Sequence, residues 1–168
     1  MQTTAIDLAN RYAVNGEKAG IAGLLHDCAR GFSFSKMEAI WRSNPGYLDS
    51  EEEQIPALWH APVSAVVAKT DFQIADPEIL TAIRFHPTGR PGMTSLEKII
   101  IIADFIEPNR AFTGVEQYRV KALDGLNQIT LLILEAKLKY LKNQGLQIHS
   151  RGIAASEFLK KEIIKTKS

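Results

Sequence analysis

Residues 99–103, Ile-Ile-Ile-Ile-Ala, form the longest purely apolar run in the chain, and what brackets them constrains the fold more than any other feature. Thr94 and Glu97 precede the run at the spacing of a helix capping box, and Pro108 follows it where a helix has to stop. A capped helix that is apolar at successive positions keeps no polar face for water, so neighbouring helices must cover it on nearly all sides. The run is far short of the ~20 residues that cross a bilayer. Elsewhere the pattern is helical as well. Apolar residues recur at helical spacing over 4–14, and Asn15-Gly16 closes that segment. The next segment, 17–30, carries Ala19, Gly20, Ala22 and Gly23 for close helix packing and ends at Gly31.

Ser35 with Glu38, and Ser50 with Glu53, repeat the capping-box spacing; Glu51, Glu52 and Glu53 then read as a solvated first turn. Asp76-Pro77 opens a helix over 78–86. Helices over 114–126, 128–143 and 150–161 complete the set, with Lys160, Lys161, Lys165 and Lys167 as a frayed end. No stretch alternates with the period of a strand. The expectation is an all-α fold, one compact bundle of about nine or ten helices spanning residues 1–168.

A net charge of +1 gives no global field for nucleic acid or an anionic membrane. No secretory signal opens the chain, and the one cysteine, Cys28, excludes an internal disulfide; a cytoplasmic protein is expected, with Cys28 buried and inert.

His26-Asp27 ends the apolar run 21–25, and His60, His86 and Asp104 fall at or near other helix ends. Imidazole with carboxylate suits Fe, Mn, Co or Zn better than Mg. His26, Asp27 and Asp104 are the expected metal ligands, provided the helix carrying Asp104 packs on the 26–27 pair; Gly20, Gly23 and the isoleucines suggest that contact. His60 and His86 have two open roles, a second metal site or phosphate contact with proton donation to the leaving group. Arg30, Arg90 and Arg110 are candidate phosphate cations, since a guanidinium pairs bidentately with phosphate oxygens. Gln147, Ile148, His149, Ser150, Arg151 and Gly152 form a polar loop suited to a base or ribose.

The motifs Leu24-Leu25-His26-Asp27, Trp59-His60-Ala61-Pro62-Val63, residues 82–93 (Ala-Ile-Arg-Phe-His-Pro-Thr-Gly-Arg-Pro-Gly-Met) and Leu96-Glu97-Lys98-Ile99 resemble the HD-domain superfamily. Residues 102–110, Ile-Ala-Asp-Phe-Ile-Glu-Pro-Asn-Arg, narrow the resemblance to its YqeK family. It covers nearly the whole chain. It implies an all-helical, homodimeric hydrolase that uses iron or a similar metal, as one or two ions, and splits diadenosine tetraphosphate symmetrically into two ADP. By the same resemblance His26, Asp27 and Asp104 match metal ligands; Asp27, His60 and His86 are the expected catalytic residues. Arg30, His60, His86, Pro87, Arg110 and residues 147–152 match positions lining the nucleotide pocket. Pro87 stands where the family more often has threonine, which removes a hydroxyl contact. The family also has a metal-binding histidine on its first helix; counted back from His26 its place falls before Met1, so the chain is expected to begin inside that helix. Two alternatives follow, a nucleotide-binding protein impaired in cleavage and an HD phosphohydrolase for another nucleotide.

Overall fold

Thr94 and Glu97 close the capping box that their spacing predicts: the Glu97 amide donates to Thr94 Oγ1 at 3.3 Å and the Thr94 amide to Glu97 Oε2 at 2.8 Å. In the computed structural model, which describes residues 1–166, this box starts the central helix of an all-helical fold. In chain order the helices are α1 (Gln2–Arg11), α2 (Gly16–Leu25), α3 (Phe34–Arg42), α4 (Ser50–Glu53), a 3-10 turn (Pro56–Leu58), α5 (His60–Thr70), α6 (Pro77–Phe85), α7 (Ser95–Ile106), α8 (Val115–Lys121), α9 (Leu126–Asn143) and α10 (Ser150–Lys165). Among the described residues there is no strand, and no helix is long and apolar enough to cross a membrane. Lys167 lies outside the described residues.

The apolar run does what its composition demands. Ile99, Ile100, Ile101 and Ile102 are all fully buried, because α1, α2, α6, α8 and α9 pack around α7. A second, smaller core joins α3 to α5 through Met37, Trp41, Trp59 and Val63.

Several local expectations shift. The segment expected as one helix over 17–30 breaks after Leu25, where the chain leaves the helical ladder and the Ala29 amide turns to Ser64 Oγ on α5 at 3.0 Å. The cap of α3 is Ser33 rather than Ser35, and Glu38 instead holds Arg42. The box on α4 is Asp49 with Glu52, one residue earlier than Ser50 with Glu53. Glu52 is drawn inward to Arg84, so the acidic run is not uniformly solvated: Glu52 is only 2% exposed.

Gly20 and Gly23 do permit a close helix contact, but with α1 rather than α7. A Cβ on Gly23 would stand 3.1 Å from Ala5 Cβ and 3.3 Å from the Gln2 Cα, and one on Gly20 would meet Ile6 at 3.0 Å. Backbone cannot swing aside as a side-chain tip can, so Gly23→Val is expected to cost about 1–3 kcal/mol of stability through overpacking. Thermal unfolding checks this; an unchanged Tm would mean that α1 shifts freely.

Candidate metal centre and nucleotide cleft

Helix ends leave carbonyls without partners, and three histidines use them in the same way. Nδ1 of His26 donates to Gly23 O at 2.9 Å, that of His60 to Ala57 O at 2.8 Å, and that of His86 to Ile83 O at 2.9 Å. A carbonyl can only accept, so each Nδ1 carries the proton, and in the neutral ring Nε2 presents a lone pair. His26 caps the end of α2, His86 caps the end of α6, and His60 begins α5 after the 3-10 turn, so three unrelated elements aim these lone pairs at one point.

Asp27 stands at that point. Its Oδ1 lies 3.4 Å from His60 Nε2 and 3.5 Å from His86 Nε2, and its Oδ2 lies 3.6 Å from His26 Nε2. Asp104, on the last turn of α7, brings Oδ1 to 3.7 Å from His26 Nε2. Donor atoms of His26, Asp27 and His86 all fall within 4.8 Å of one another. His60 Nε2 is buried and has no hydrogen-bond partner. Lone pairs facing carboxylate oxygens repel unless a proton or a cation lies between them.

Protonation states favour the cation. Burial alone would raise the Asp27 pKa, but the hydrogen bond and charge of His86, with His26 and His60, hold it well below the carboxylate range. Asp104 behaves alike: burial opposes ionisation, and His26, Lys137 and His86 outweigh it. Burial, then His86, pushes His60 down to about 4, and burial lowers His86 as well. For His26 burial works downward, yet Asp104 and Asp27 prevail and raise it. Two carboxylates held in their charged form, beside two imidazoles whose neutral form is favoured and a third that the carboxylates hold, are a donor set that fits a divalent metal of the Fe, Mn, Co or Zn type.

The cluster opens into a cavity of about 720 Å³ lined by Arg30, His60, His86, Pro87, Asp104 and Arg110, with Lys137 and an aromatic wall. Arg30 Nη1 lies 3.1 Å from Asp27 Oδ2, one turn along the chain. Arg110 holds Asp104 twice, donating from Nε to its carbonyl at 2.9 Å and from Nη2 to its carboxylate. Lys137 escaped the sequence reading. It sits on α9 with its ammonium 3.4 Å from the His86 carbonyl, and burial lowers its pKa. The available signal was its register, since Lys137 follows buried Ile133 and Leu134 by one helical turn and so falls on the inward face.

Residues 147–152 are divided. Gln147, Ile148, His149 and Gly152 line a second cavity of about 250 Å³, which shares Pro87, Lys137 and Leu141 with the first. Ser150 and Arg151 are tied to α4: the Ser150 amide donates to Glu51 at 2.8 Å, and Arg151 pairs with Glu52 at 2.8 Å and with Asp49. His149 is the inverse of the other histidines. Its Nδ1 accepts from the Arg151 amide at 3.0 Å to cap α10, and its Nε2 faces Asp49 at 3.1 Å. Cys28 is partly buried, and burial pushes its thiol pKa up.

Arg90 does not reach the cluster. Its guanidinium pairs with Glu97 at 2.7 and 2.9 Å, and Glu97 is 1% exposed. Arg90→Ala leaves that carboxylate buried without its cation. The expected cost is about 1–3 kcal/mol of stability with kcat/KM unchanged, by thermal unfolding beside steady-state assay.

The HD domain profile matches residues 1–109, and the chain belongs to the HD-domain family. The chain is 42% identical over 148 residues to a symmetrical bis(5'-nucleosyl)-tetraphosphatase of Bacillus subtilis, covering 86% of this chain and 78% of that one. The Halalkalibacterium halodurans protein of the same name is 42% identical over 84% of this chain and 76% of its own. A Staphylococcus aureus protein, also so named, is 34% identical over 89% and 78%. These relatives put the chain in the YqeK-like branch. In structure it resembles a predicted HD superfamily hydrolase involved in NAD metabolism from Clostridium acetobutylicum, with a TM-score of 0.91 and 38% identity over 96% of this chain and 85% of that one.

Proposed function

We propose that this protein is a metal-dependent phosphohydrolase that cleaves diadenosine tetraphosphate symmetrically into two ADP. The observation that carries the proposal is the convergence of three imidazole lone pairs and two carboxylates at a cavity whose remaining charged lining is cationic. Three relatives at 34–42% identity are named symmetrical bis(5'-nucleosyl)-tetraphosphatases, and diadenosine tetraphosphate is a substrate of that class. His26, Asp27 and Asp104 would hold the metal, and His60 and His86 face the same point. A divalent metal there would polarise a phosphoryl oxygen and acidify a water molecule.

Of the two roles open to His60 and His86, the Nδ1–H bonds to carbonyls and the depressed pKa values favour lone-pair donation over delivery of a proton. Arg30 and Arg110 supply fixed positive charge where the polyphosphate gathers negative charge, and Lys137 adds a hydrogen-bond donor beside them. Arg30 has the freedom to pair with phosphate oxygens, since its side chain is more than half exposed. Gln147, Ile148, His149 and Gly152, with Pro87, line the adjoining cavity and are assigned to the nucleotide, with Ser150 and Arg151 holding that stretch to α4.

The same reading takes iron as the metal, as one or two ions, residues 1–168 as one working HD unit, a homodimer as the assembly and the cytoplasm as the location. No nucleic acid or membrane partner belongs to it. The test is anaerobic purification with Fe or Mn, metal analysis, sedimentation, and chromatography of products from diadenosine tetraphosphate. Bound metal with ADP as the only product is expected. ATP with AMP would overturn symmetric cleavage. Turnover confined to other nucleotides would move the substrate, and ADP binding without turnover would leave a binding protein.

A further inference from the structure

Two chemically different sets of side chains line the larger cavity: Arg30, Arg110 and Lys137 with His60 and His86, and the rings of Phe105, Phe112, Tyr118 and Tyr140. Phe105, Phe112 and Tyr118 pack edge to face, with centroids 5.0 Å apart for Phe105 with Phe112 and for Phe105 with Tyr118, and 6.2 Å for Phe112 with Tyr118. Such contacts fix the ring planes. Yet Phe112 is 40% exposed and Tyr140, which lines the same cavity from α9, is 61% exposed. Gln117 and Thr113 add hydrogen-bonding groups there. Flat apolar rings with polar edges, beside a cationic site, match a planar base joined to phosphate.

A dinucleoside polyphosphate has two bases and needs two places for them. The smaller cavity, bounded by Gln147, Ile148, His149 and Gly152, adjoins the larger through Pro87, Lys137 and Leu141. Resting on the substrate reading above, we infer that the wall of Phe112 and Tyr140, backed by Phe105 and Tyr118, is a stacking subsite for one base of the substrate, while the other base takes the smaller cavity. Lys137, common to both cavities, then lies along the polyphosphate between them. Stacking tolerates any base, so this subsite recognises a nucleoside without strict choice of purine.

The test is calorimetric titration of the metal-loaded protein with a methylene-bridged, uncleavable analogue of diadenosine tetraphosphate, and separately with inorganic tripolyphosphate. Phe112→Leu and Tyr140→Ala are each expected to weaken the analogue about tenfold or more and leave tripolyphosphate unchanged, while Phe112→Trp retains the analogue. Unchanged analogue affinity in both variants overturns the subsite, as does an equal loss for tripolyphosphate or failure of the parent to bind the analogue. If the parent binds the analogue but does not cleave diadenosine tetraphosphate, the hydrolase reading fails and the subsite is still decided by the variants.

Discussion

Asp27→Ala is expected to abolish hydrolysis of diadenosine tetraphosphate while the helical circular dichroism stays that of the parent. Asp27 is the one residue that all three converging imidazoles approach, at 3.4, 3.5 and 3.6 Å. Its removal leaves lone pairs with no central carboxylate to share a cation. Changing even an outer partner of a metal ligand typically costs 10–100-fold in affinity, so loss of this carboxylate should cost at least about 100-fold. The backbone has little stake in the side chain. The turn is closed by the Arg30 amide on the Asp27 carbonyl at 2.9 Å and by the Ala29 amide on Ser64, and both bonds survive the substitution. Metal analysis beside a product assay makes the check. Full turnover with full metal content would sink the proposed centre; lost turnover with metal retained would shift Asp27 from ligand to proton acceptor.

Residues that announce their own role were legible in the sequence. The capped isoleucine run specified α7 because an unbroken apolar helix has only one environment open to it. Asp76-Pro77 specified the start of α6, where Asp76 accepts from the Glu78 amide at 2.8 Å. His26, Asp27, His60, His86 and Asp104 stood at helix ends in the sequence and meet in the fold. What could not be read was pairing over long separation. Glu52 looked like any residue of an acidic first turn, and its partners Arg84 and Arg151 lie far along the chain. Arg90 looked like a phosphate cation because nothing in the sequence reveals that Glu97, already used as a cap, has a second carboxylate contact to offer. Gly20 and Gly23 signalled a close contact without saying with which helix, and α1 was the answer. The histidine tautomers depended on carbonyls three residues back, a local relation. It separates the three inward histidines from His149 only once helix ends are placed within a residue.

Glu52→Ala is expected to destabilise the protein by about 3–5 kcal/mol, the range for breaking a buried ion pair by removing one member. Glu52 is the hinge pin of the region under the smaller cavity. Its carboxylate accepts from Arg84 at 2.7 and 2.6 Å, from Arg151 at 2.8 Å and from the Asp49 amide at 3.0 Å, and its carbonyl accepts from Trp59 Nε1 at 3.0 Å. The backbone bond to Trp59 survives the substitution; the others do not, and two guanidiniums, on α6 and α10, lose their shared anion. The pH dependence fixes the sign. Burial works to raise the Glu52 pKa, but Arg84 and Arg151 lower it below the ordinary glutamate value. A carboxylate with a depressed folded pKa stabilises fully above its unfolded pKa, about 4.3, and loses that contribution as pH falls through the folded one. The parent should therefore lose stability relative to Glu52→Ala below about pH 4, and the gap between their denaturation midpoints should narrow there. Denaturant titrations at neutral and acid pH make the measurement, and a gap that stays constant would mean that Glu52 acts by packing rather than charge. Because Arg151 sits in the 147–152 stretch, the same variant should raise KM for diadenosine tetraphosphate while the metal content, which the proposed ligands His26, Asp27 and Asp104 would hold, stays that of the parent.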